Sequence, residues 1–387
     1  MDQSNPPDCA LAGHRARWLP NGAASFAAMA ALIGGASTSV CLETYTVKPG
    51  EPAEGLIAAL LAARARGVRV RVLYDAFGSE GLPADFFAAL VAAGGEVRVF
   101  SPARRLRLAF RDHRKLLVCD AQRAIVGGHN IGPEYDGDGV TQGWLDVALQ
   151  IEGPVAADLA ASFEAMYALA PMNAAAIRDF RRAARAQRHA GSAGAAIRLL
   201  TSGPGWRAGL LSRVLRLDVL HARAVRCMAG YFLPPARMRR ALRRCTHGGG
   251  EVELLLAGKS DVPVARYAAE HLYARMLEGG ARLFEYQPQV LHAKLFIIDD
   301  TVYVGSCNLD RRSLNINYEL LLRLEWPELA TRARALFNEA LAHSREVPAE
   351  TWRQRRHWWE RWRSRFSYWL LTRVDPLLAR RPLRSLG

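Results

Sequence analysis

The chain has 387 residues, 50% hydrophobic and 23% charged, enough to bury the cores of two domains of ordinary size. Its formal net charge of +15 favours an anionic partner: a phospholipid surface, nucleic acid or a phosphorylated substrate. The six cysteines, at 9, 41, 119, 227, 245 and 307, are scattered without a C-x-x-C pair. That spacing argues against a metal or redox site and for free thiols in a reducing, cytoplasmic compartment.

In chain order, residues 1–20 read as a loose basic leader. The uncharged run from Asn21 to Leu42 is the only candidate membrane span. It is broken by Gly34–Gly35 and passes into a strand-like SVCLETYTV, so a core helix followed by a strand is the better reading. Helices and strands then alternate: GLIAALLAARARG, VRVRVLYDAFGS, ADFFAALVAAGG, EVRVFSP. RRLRLAFR leads into a strand bearing His113 and Lys115, and WLDVALQIEGP adds another. Such alternation predicts an α/β protein with a mixed, mostly parallel sheet flanked by helices.

Residues 189–196 (HAGSAGAA) read as a linker, after which the pattern begins again from AIRLLTSGP. NYELLLRLE late in the chain mirrors WLDVALQIE. The arrangement is an internal duplication at half-length, not a short-period solenoid. The expected domains are residues 21–188 and 197–345, followed by a distinct tail at 346–387.

The duplicated feature is a motif. RDHRKLLVCDAQRAIVGGHN carries His113, Lys115, Asp120, Gly127, Gly128 and Asn130. LHAKLFIIDDTVYVGSCN carries His292, Lys294, Asp299, Gly305, Ser306 and Asn308. Both follow His-x-Lys-x4-Asp, then a small-residue pair and Asn. A spacing of two on a strand sends both side chains to one face, and a buried imidazole and ammonium there call for an anion. Among 52 Lys+Arg, lysine stands only at 48, 115, 259 and 294, and two of these lie two residues after a histidine. A compact point charge is wanted at those positions.

Two histidines, two lysines and two asparagines converging on one cleft, with no carboxylate cluster to hold Mg²⁺, describe metal-independent and cofactor-free phosphodiester chemistry. One imidazole attacks phosphorus while the other protonates the departing alkoxide and later deprotonates the incoming hydroxyl. Lys115, Lys294, Asn130, Asn308 and Ser306 are expected around the phosphate oxygens. Asp146 and Glu319, on the mirrored strands, are candidates to fix the imidazole tautomers. Asp120 and Asp299 complete the catalytic signature. Their odd spacing puts them at strand ends, where they would shape hairpins and pair with cations rather than touch substrate.

These residues resemble the signature of the phospholipase D superfamily, and the chain is most similar to bacterial cardiolipin synthases. LETYTV, FRDHRKLLVCD, AIVGGHNIGPEY, GYFLPPARMRRAL, KSDVP and VGSCNLDRRSLNINYE carry the resemblance over about residues 25–325. Without two N-terminal transmembrane helices, the chain looks like the shorter, B type. The resemblance implies two similar domains sharing one active site at their interface. It also implies transfer of a phosphatidyl group through a phosphohistidine to phosphatidylglycerol, with phosphatidylethanolamine as a possible further substrate. It makes His113 the nucleophile and His292 the acid/base. His129 inside GGHN and Cys307 inside GSCN depart from the pattern without removing a catalytic group. The hairpin after Asp299 is one residue shorter than that after Asp120.

The tail, TWRQRRHWWERWRSRFSYWLLTR, holds five of the nine tryptophans. Trp359, Trp362, Phe366, Trp369 and Leu370 follow helical spacing among arginines, a composition suited to a headgroup interface. The expectation is a peripheral protein on the cytoplasmic face of a bacterial membrane, in contact with anionic phospholipid. Deleting residues 351–387 should then weaken liposome binding and spare turnover of a soluble diester. The competing readings are a phosphodiesterase that hydrolyses phospholipid or nucleic acid and a non-enzymatic lipid-binding protein. No aromatic base-stacking platform supports nucleic acid.

Overall fold

The computed structural model describes residues 9–100, 111–172, 175–180, 182, 195–203, 209–350, 352 and 356–374. The N-terminal half runs β1 (Cys9–Leu11), β2 (His14–Leu19), α1 (Gly22–Gly34), β3 (Ser39–Thr44), α2 (Glu51–Ala65) and β4 (Arg69–Asp75). It continues through α3 (Ala88–Ala92), β5 (Glu96–Phe100), β6 (Leu116–Cys119), β7 (Arg123–Gly127), β8 (Ala148–Glu152) and α4 (Val155–Leu169).

The C-terminal half runs β9 (Ile197–Ser202), α5 (Leu210–His221), β10 (Ala224–Ala229), β11 (Phe232–Leu233), α6 (Ala236–His247), β12 (Glu251–Ala257), α7 (Pro263–Glu278) and β13 (Arg282–Tyr286). Then come β14 (Lys294–Ile298), β15 (Thr301–Gly305), β16 (Leu309–Asp310), α8 (Arg311–Asn315), β17 (Glu319–Glu325), α9 (Pro327–Ala342), β18 (Ser344–Glu346) and α10 (Trp358–Trp369).

Each half builds one eight-stranded sheet, in the orders β1-β2-β8-β7-β6-β3-β4-β5 and β18-β13-β12-β10-β14-β15-β17-β9. Apart from the edge strands β1 and β18, the two orders are the same path, so the duplication read from the sequence is a duplication of fold. The sheets are mixed as expected, but not mostly parallel. Within these two sheets parallel pairing is confined to β3-β4-β5 and β10-β12-β13, where helices make the crossovers, while β11 and β16 pair in parallel as a separate two-stranded sheet. The motif strands are joined by turns of three residues (Asp120–Gln122) and two (Asp299–Asp300), which can connect only antiparallel partners.

Period-2 alternation decides which core each strand residue enters. In the C-terminal half Leu295, Ile297, Val302, Val304, Leu320, Leu322 and Leu324 face a central cluster that also holds Leu149, Phe163 and Leu116 of the N-terminal half. Phe296, Ile298, Tyr303 and Leu321 point the other way, into a cluster under α5, α6 and α7. In the N-terminal half the alternate residues Val40, Leu42, Leu117 and Ile125 enter a cluster with α1 and α2. Both faces of each sheet are buried, which is why the strands read as continuous apolar runs. Helices α4 and α9 lie in the central cluster, and the Trp18 indole donates across the halves to the Leu329 carbonyl at 3.2 Å.

The expected leader is in part structured: residues 9–19 form the β1–β2 hairpin, and β2 pairs antiparallel with β8. Alternating burial at Ala16 and Trp18 carries that strand into the core, a pattern masked in the sequence by interleaved arginines. The Asn21–Leu42 run is helix α1 and most of β3, with the Asn21 side chain capping α1 by accepting the Ala24 N–H at 3.0 Å. The linker expected at 189–196 lies mainly outside the described residues, as does most of RRLRLAFR. All six cysteines are buried, and no disulfide joins them.

Candidate active site

Two short cross-links bring the halves together beside the motifs. Asp112 bridges Tyr318 in parallel, and Leu145 bridges Leu291. Around them His113 N–H donates to the Tyr318 carbonyl (3.0 Å) and His292 N–H to the Leu145 carbonyl (2.8 Å). In each link the residue before a motif histidine pairs with the residue before a carboxylate of the other half. Register therefore sets the chemistry: His113 is delivered to Glu319 and His292 to Asp146.

The carboxylate oxygens of Glu319 lie 3.0 and 3.1 Å from His113 Nδ1, and Asp146 Oδ2 lies 2.6 Å from His292 Nδ1. In the neutral tautomer that donates Nδ1–H to the carboxylate, Nε2 is left bare; Lys294 Nζ also lies 2.7 Å from His292 Nδ1. Both histidines, with Asn130 and Asn308, line a cavity of 480 Å³. Both sit immediately before their strands, in extended segments, rather than within the strands as their spacing suggested. The segment at His113 is pinned on both sides: Asp112 N–H donates to Asp75 at 2.9 Å, and Arg114 pairs with buried Glu43 at 3.1 Å.

The lysines are buried beside the histidines and are not among the cavity-lining residues. Lys115 donates to the His113 carbonyl at 2.6 Å, and Lys294 donates to the His292 carbonyl. Burial lowers Lys115 to about 7 and Lys294 to about 8. Burial, reinforced by the Lys115, Lys294 and Arg111 cations, holds His113 well below the usual imidazole range; burial with Lys294 and Lys115 does the same to His292. Burial also pushes Glu319 up to about 8 and raises Asp146. Burial is the largest cause of every one of these shifts. A bound phosphodiester would favour the charged forms of both lysines and of an imidazole.

Ser306 does not meet the cavity. Its hydroxyl donates to Glu319 Oε2 at 2.5 Å, so it supports the carboxylate rather than a substrate phosphate. The equivalent position in the other half is Gly128, where a Cβ would overlap both oxygens of Asp146. Asn130 accepts the Thr46 N–H (3.2 Å) and donates to the Tyr135 hydroxyl (2.6 Å), while Asn308 Oδ1 is buried without a hydrogen-bond partner among the described residues.

Asp120 and Asp299 stand at the far ends of β6 and β14, outside the cavity. Both adopt positive φ, 56° and 50°, which aspartate tolerates better than most residues. Asp120 accepts the N–H groups of Ser37, Thr38 and Ser39, and Asp299 those of Arg223 and Ala224. They therefore tie each motif hairpin to the neighbouring β3 or β10, the turn-shaping role that their spacing suggested. Of the two departures from the motif, Cys307 is buried. So is His129, with Nδ1 3.4 Å from the Ser25 hydroxyl and its pKa lowered by burial to about 4.

The cavity walls include residues that motif spacing did not single out. Tyr45 packs edge-on against His113 at 4.9 Å; Tyr135 and Trp144 lie 5.2 and 5.7 Å from His292. Arg111 hydrogen-bonds the Tyr45 hydroxyl at 3.1 Å, and Tyr231 donates to Asp261 at 2.7 Å. Leu371 and Thr372, beyond α10, also form part of the wall. Tyr45 in LETYTV and Trp144 beside Leu145–Asp146 were visible in the sequence but had no spacing rule to mark them.

Two pseudo-symmetric α/β halves, each lending one histidine and one asparagine to a shared cavity, define a phospholipase D-like protein. Residues 29–167 and 221–341 match the family described as cardiolipin synthase, PLD-like domain. Cardiolipin synthase B of Escherichia coli K12 is 31% identical over 380 residues, 96% of this chain and 91% of that protein. Cardiolipin synthase A of Pseudomonas putida is 33% identical over 351 residues, 88% of this chain and 71% of that protein. A crystal structure of phosphatidylserine synthase from Haemophilus influenzae Rd KW20 shares the fold, with a TM-score of 0.73 over 96% of both chains at 14% identity. The chain belongs to the phospholipase D-like cardiolipin synthase family, a family of phosphatidyltransferases.

Proposed function

We propose that this protein is a cardiolipin synthase that transfers a phosphatidyl group from one phospholipid to phosphatidylglycerol through a phosphohistidine. The observation that carries the reading is the pair of imidazoles facing one cavity, each held at Nδ1 by a carboxylate from the other half. In the first step His113 Nε2 forms a bond to phosphorus as the P–O bond to the leaving headgroup breaks, and His292, held as the imidazolium by the bound diester and Asp146, gives that oxygen its Nε2 proton. In the second, His292 removes the proton from a glycerol hydroxyl of phosphatidylglycerol. The resulting oxygen attacks phosphorus and the P–N bond breaks, regenerating His113.

With phosphatidylglycerol as donor, the products are cardiolipin and glycerol, and no water is consumed. Asn130 and Asn308 would contact the non-bridging oxygens, and the buried lysines would stabilise their charge from beside the histidines. Asp120 and Asp299 would serve by holding the hairpins in place. Phosphatidylethanolamine is a second candidate donor. No helix among the described residues is long and apolar enough to cross a membrane. The reading places the protein at the periphery of a bacterial cytoplasmic membrane, on its cytoplasmic face.

Mass spectrometry of products from phosphatidylglycerol vesicles, with chelator present and His113→Ala and His292→Ala as controls, tests the proposal. Cardiolipin and glycerol from the wild type alone are expected. Phosphatidic acid without cardiolipin would make the protein a hydrolase.

A further inference from the structure

Helix α10 is seated the wrong way round for a helix that merely caps its own protein. Ser364 and Ser367 are its buried residues. It rests on α7 through polar contacts: Arg356 donates to Glu270 (2.6 Å) and to the Ser364 hydroxyl, Arg363 lies 3.7 Å from the Tyr267 ring centroid, and Tyr368 packs on His271 at 4.7 Å. The aromatic side faces out. Of the nine large hydrophobic side chains exposed among the described residues, Trp358, Trp359, Trp362, Phe366 and Trp369 are all on this helix. They fall within roughly 100° of arc opposite the two serines. Trp362, Phe366 and Trp369 stack in sequence at 5.5 and 5.9 Å. Water is a poor solvent for such a stripe, and contiguous exposed apolar surface marks something that covers it.

We infer that the aromatic face of α10 is a membrane-docking surface that sets the cavity mouth against an anionic bilayer, an inference that rests on the lipid-transfer reading above. Two observations select lipid over other occupants. Exposed Arg361 and Arg365 flank the tryptophans, the combination that settles at the headgroup level, on a chain of net charge +15. The helix also leads directly into the cavity: the turn Leu370–Val374 follows it, and Leu371 and Thr372 line the wall. Arg311 holds the turn by donating to the Thr372 carbonyl at 3.3 Å. Val262, exposed at the start of α7, lines the same cavity. The apolar face therefore runs to the entrance through which a lipid headgroup must pass.

The test uses the full chain and a Trp362→Ala/Phe366→Ala/Trp369→Ala variant. These side chains are exposed, so thermal melting should match the wild type and thereby control for folding. With vesicles of phosphatidylglycerol and phosphatidylcholine, the wild type should cosediment and its tryptophan emission be quenched by brominated acyl chains. The variant should partition at least tenfold more weakly and lose turnover on vesicles, yet keep turnover of a short-chain monomeric phosphodiester. Equal partitioning of the two proteins would overturn the inference. So would a wild-type dimer in lipid-free ultracentrifugation that the variant converts to monomer, because the aromatic face would then be covered by a second copy. Aromatic-dependent vesicle binding without cardiolipin formation would sink the transferase reading and leave the docking surface standing.

Discussion

His113 of the N-terminal half takes its carboxylate, Glu319, from the C-terminal half, with the two Glu319 oxygens 3.0 and 3.1 Å from Nδ1. The reverse exchange joins His292 to Asp146 at 2.6 Å. Neither half contains a complete imidazole–carboxylate pair, so the interface is part of the chemistry and not only a place where two sites meet.

Replacing either carboxylate by its amide should therefore cost kcat by about ten-thousandfold, the scale seen when a triad loses the group that orients its imidazole. Burial pushes Glu319 up to about 8, which makes it reluctant to ionise until a positive imidazole forms beside it. Glu319→Gln cannot answer that charge. Single-turnover kinetics should show Glu319→Gln slowing formation of the covalent intermediate, with thermal melting little changed. Wild-type rates in both amide variants would refute the orienting role.

The small residue at 128 makes a sharper prediction. Gly128→Ala would drive a methyl into both oxygens of Asp146 and dislodge it from His292. Activity should fall at least tenfold, because sub-ångström errors in a general acid/base are costly. Gly34→Ala, whose new methyl would meet nothing within 4 Å, is the control. Ser306→Ala, which removes a donor to Glu319 and adds no bulk, should fall between them.

Much of this site was legible because its residues obey local spacing rules. The His-x-Lys-x4-Asp repeats and the mirrored WLDVALQ and NYELLL strands marked the histidines, lysines, asparagines and both orienting carboxylates. The exchange of carboxylates between halves was not legible, since it depends on the register of Asp112 with Tyr318 and of Leu145 with Leu291, contacts with no local signature. Ser306, expected at the phosphate from its place in the motif, donates its hydroxyl to Glu319, because a motif position does not say which neighbour a hydroxyl will meet. The sheets were expected to be more parallel than they are because alternating helices and strands dominate the chain, while the antiparallel motif hairpins occupy short turns.

The buried lysines predict how substrate binding depends on pH. Lys115 and Lys294 are lowered to about 7 and 8, so each carries its charge below that value and loses it above. Glu319, at about 8, becomes negative over the same range. All three changes remove positive charge from the site as pH rises. KM for an anionic diester should rise between pH 7 and 9, and Lys115→Met should flatten that dependence while raising KM at pH 7. Steady-state KM against pH decides it; a flat wild-type profile would contradict the titration.

Asp120 predicts an acid-dependent stability. Burial alone would raise its pKa, but the Ser39, Thr38 and Ser37 donors hold it well below the usual carboxylate range. A depressed folded-state pKa contributes stability above the ordinary carboxylate value and loses it as pH falls toward the folded value. Asp120→Asn keeps the tolerance for φ of 56° and removes the charge. Its melting temperature should lie below the wild type at pH 7, and the gap should narrow on acidification toward pH 3. Calorimetry at the two pH values checks this, and a gap that widens in acid would reverse the assignment.

The tail supplies the last prediction, and it reverses the expectation that residues 351–387 form a detachable anchor. Their removal would take Leu371 and Thr372 out of the cavity wall and strip Arg356 from Glu270, whose side chain is only 7% exposed. Glu270 would keep only Arg266, at 3.5 Å, and a buried carboxylate that loses the shorter of its two ion pairs is destabilising. Deletion should therefore lower the melting temperature and reduce kcat/KM by roughly tenfold even for a short, soluble diester, through loss of substrate positioning. The triple aromatic variant, which leaves the wall and the ion pair intact, should spare that soluble substrate. If the deletion spared it too, Leu371 and Thr372 would have no part in positioning substrate, and the tail would act on the membrane alone.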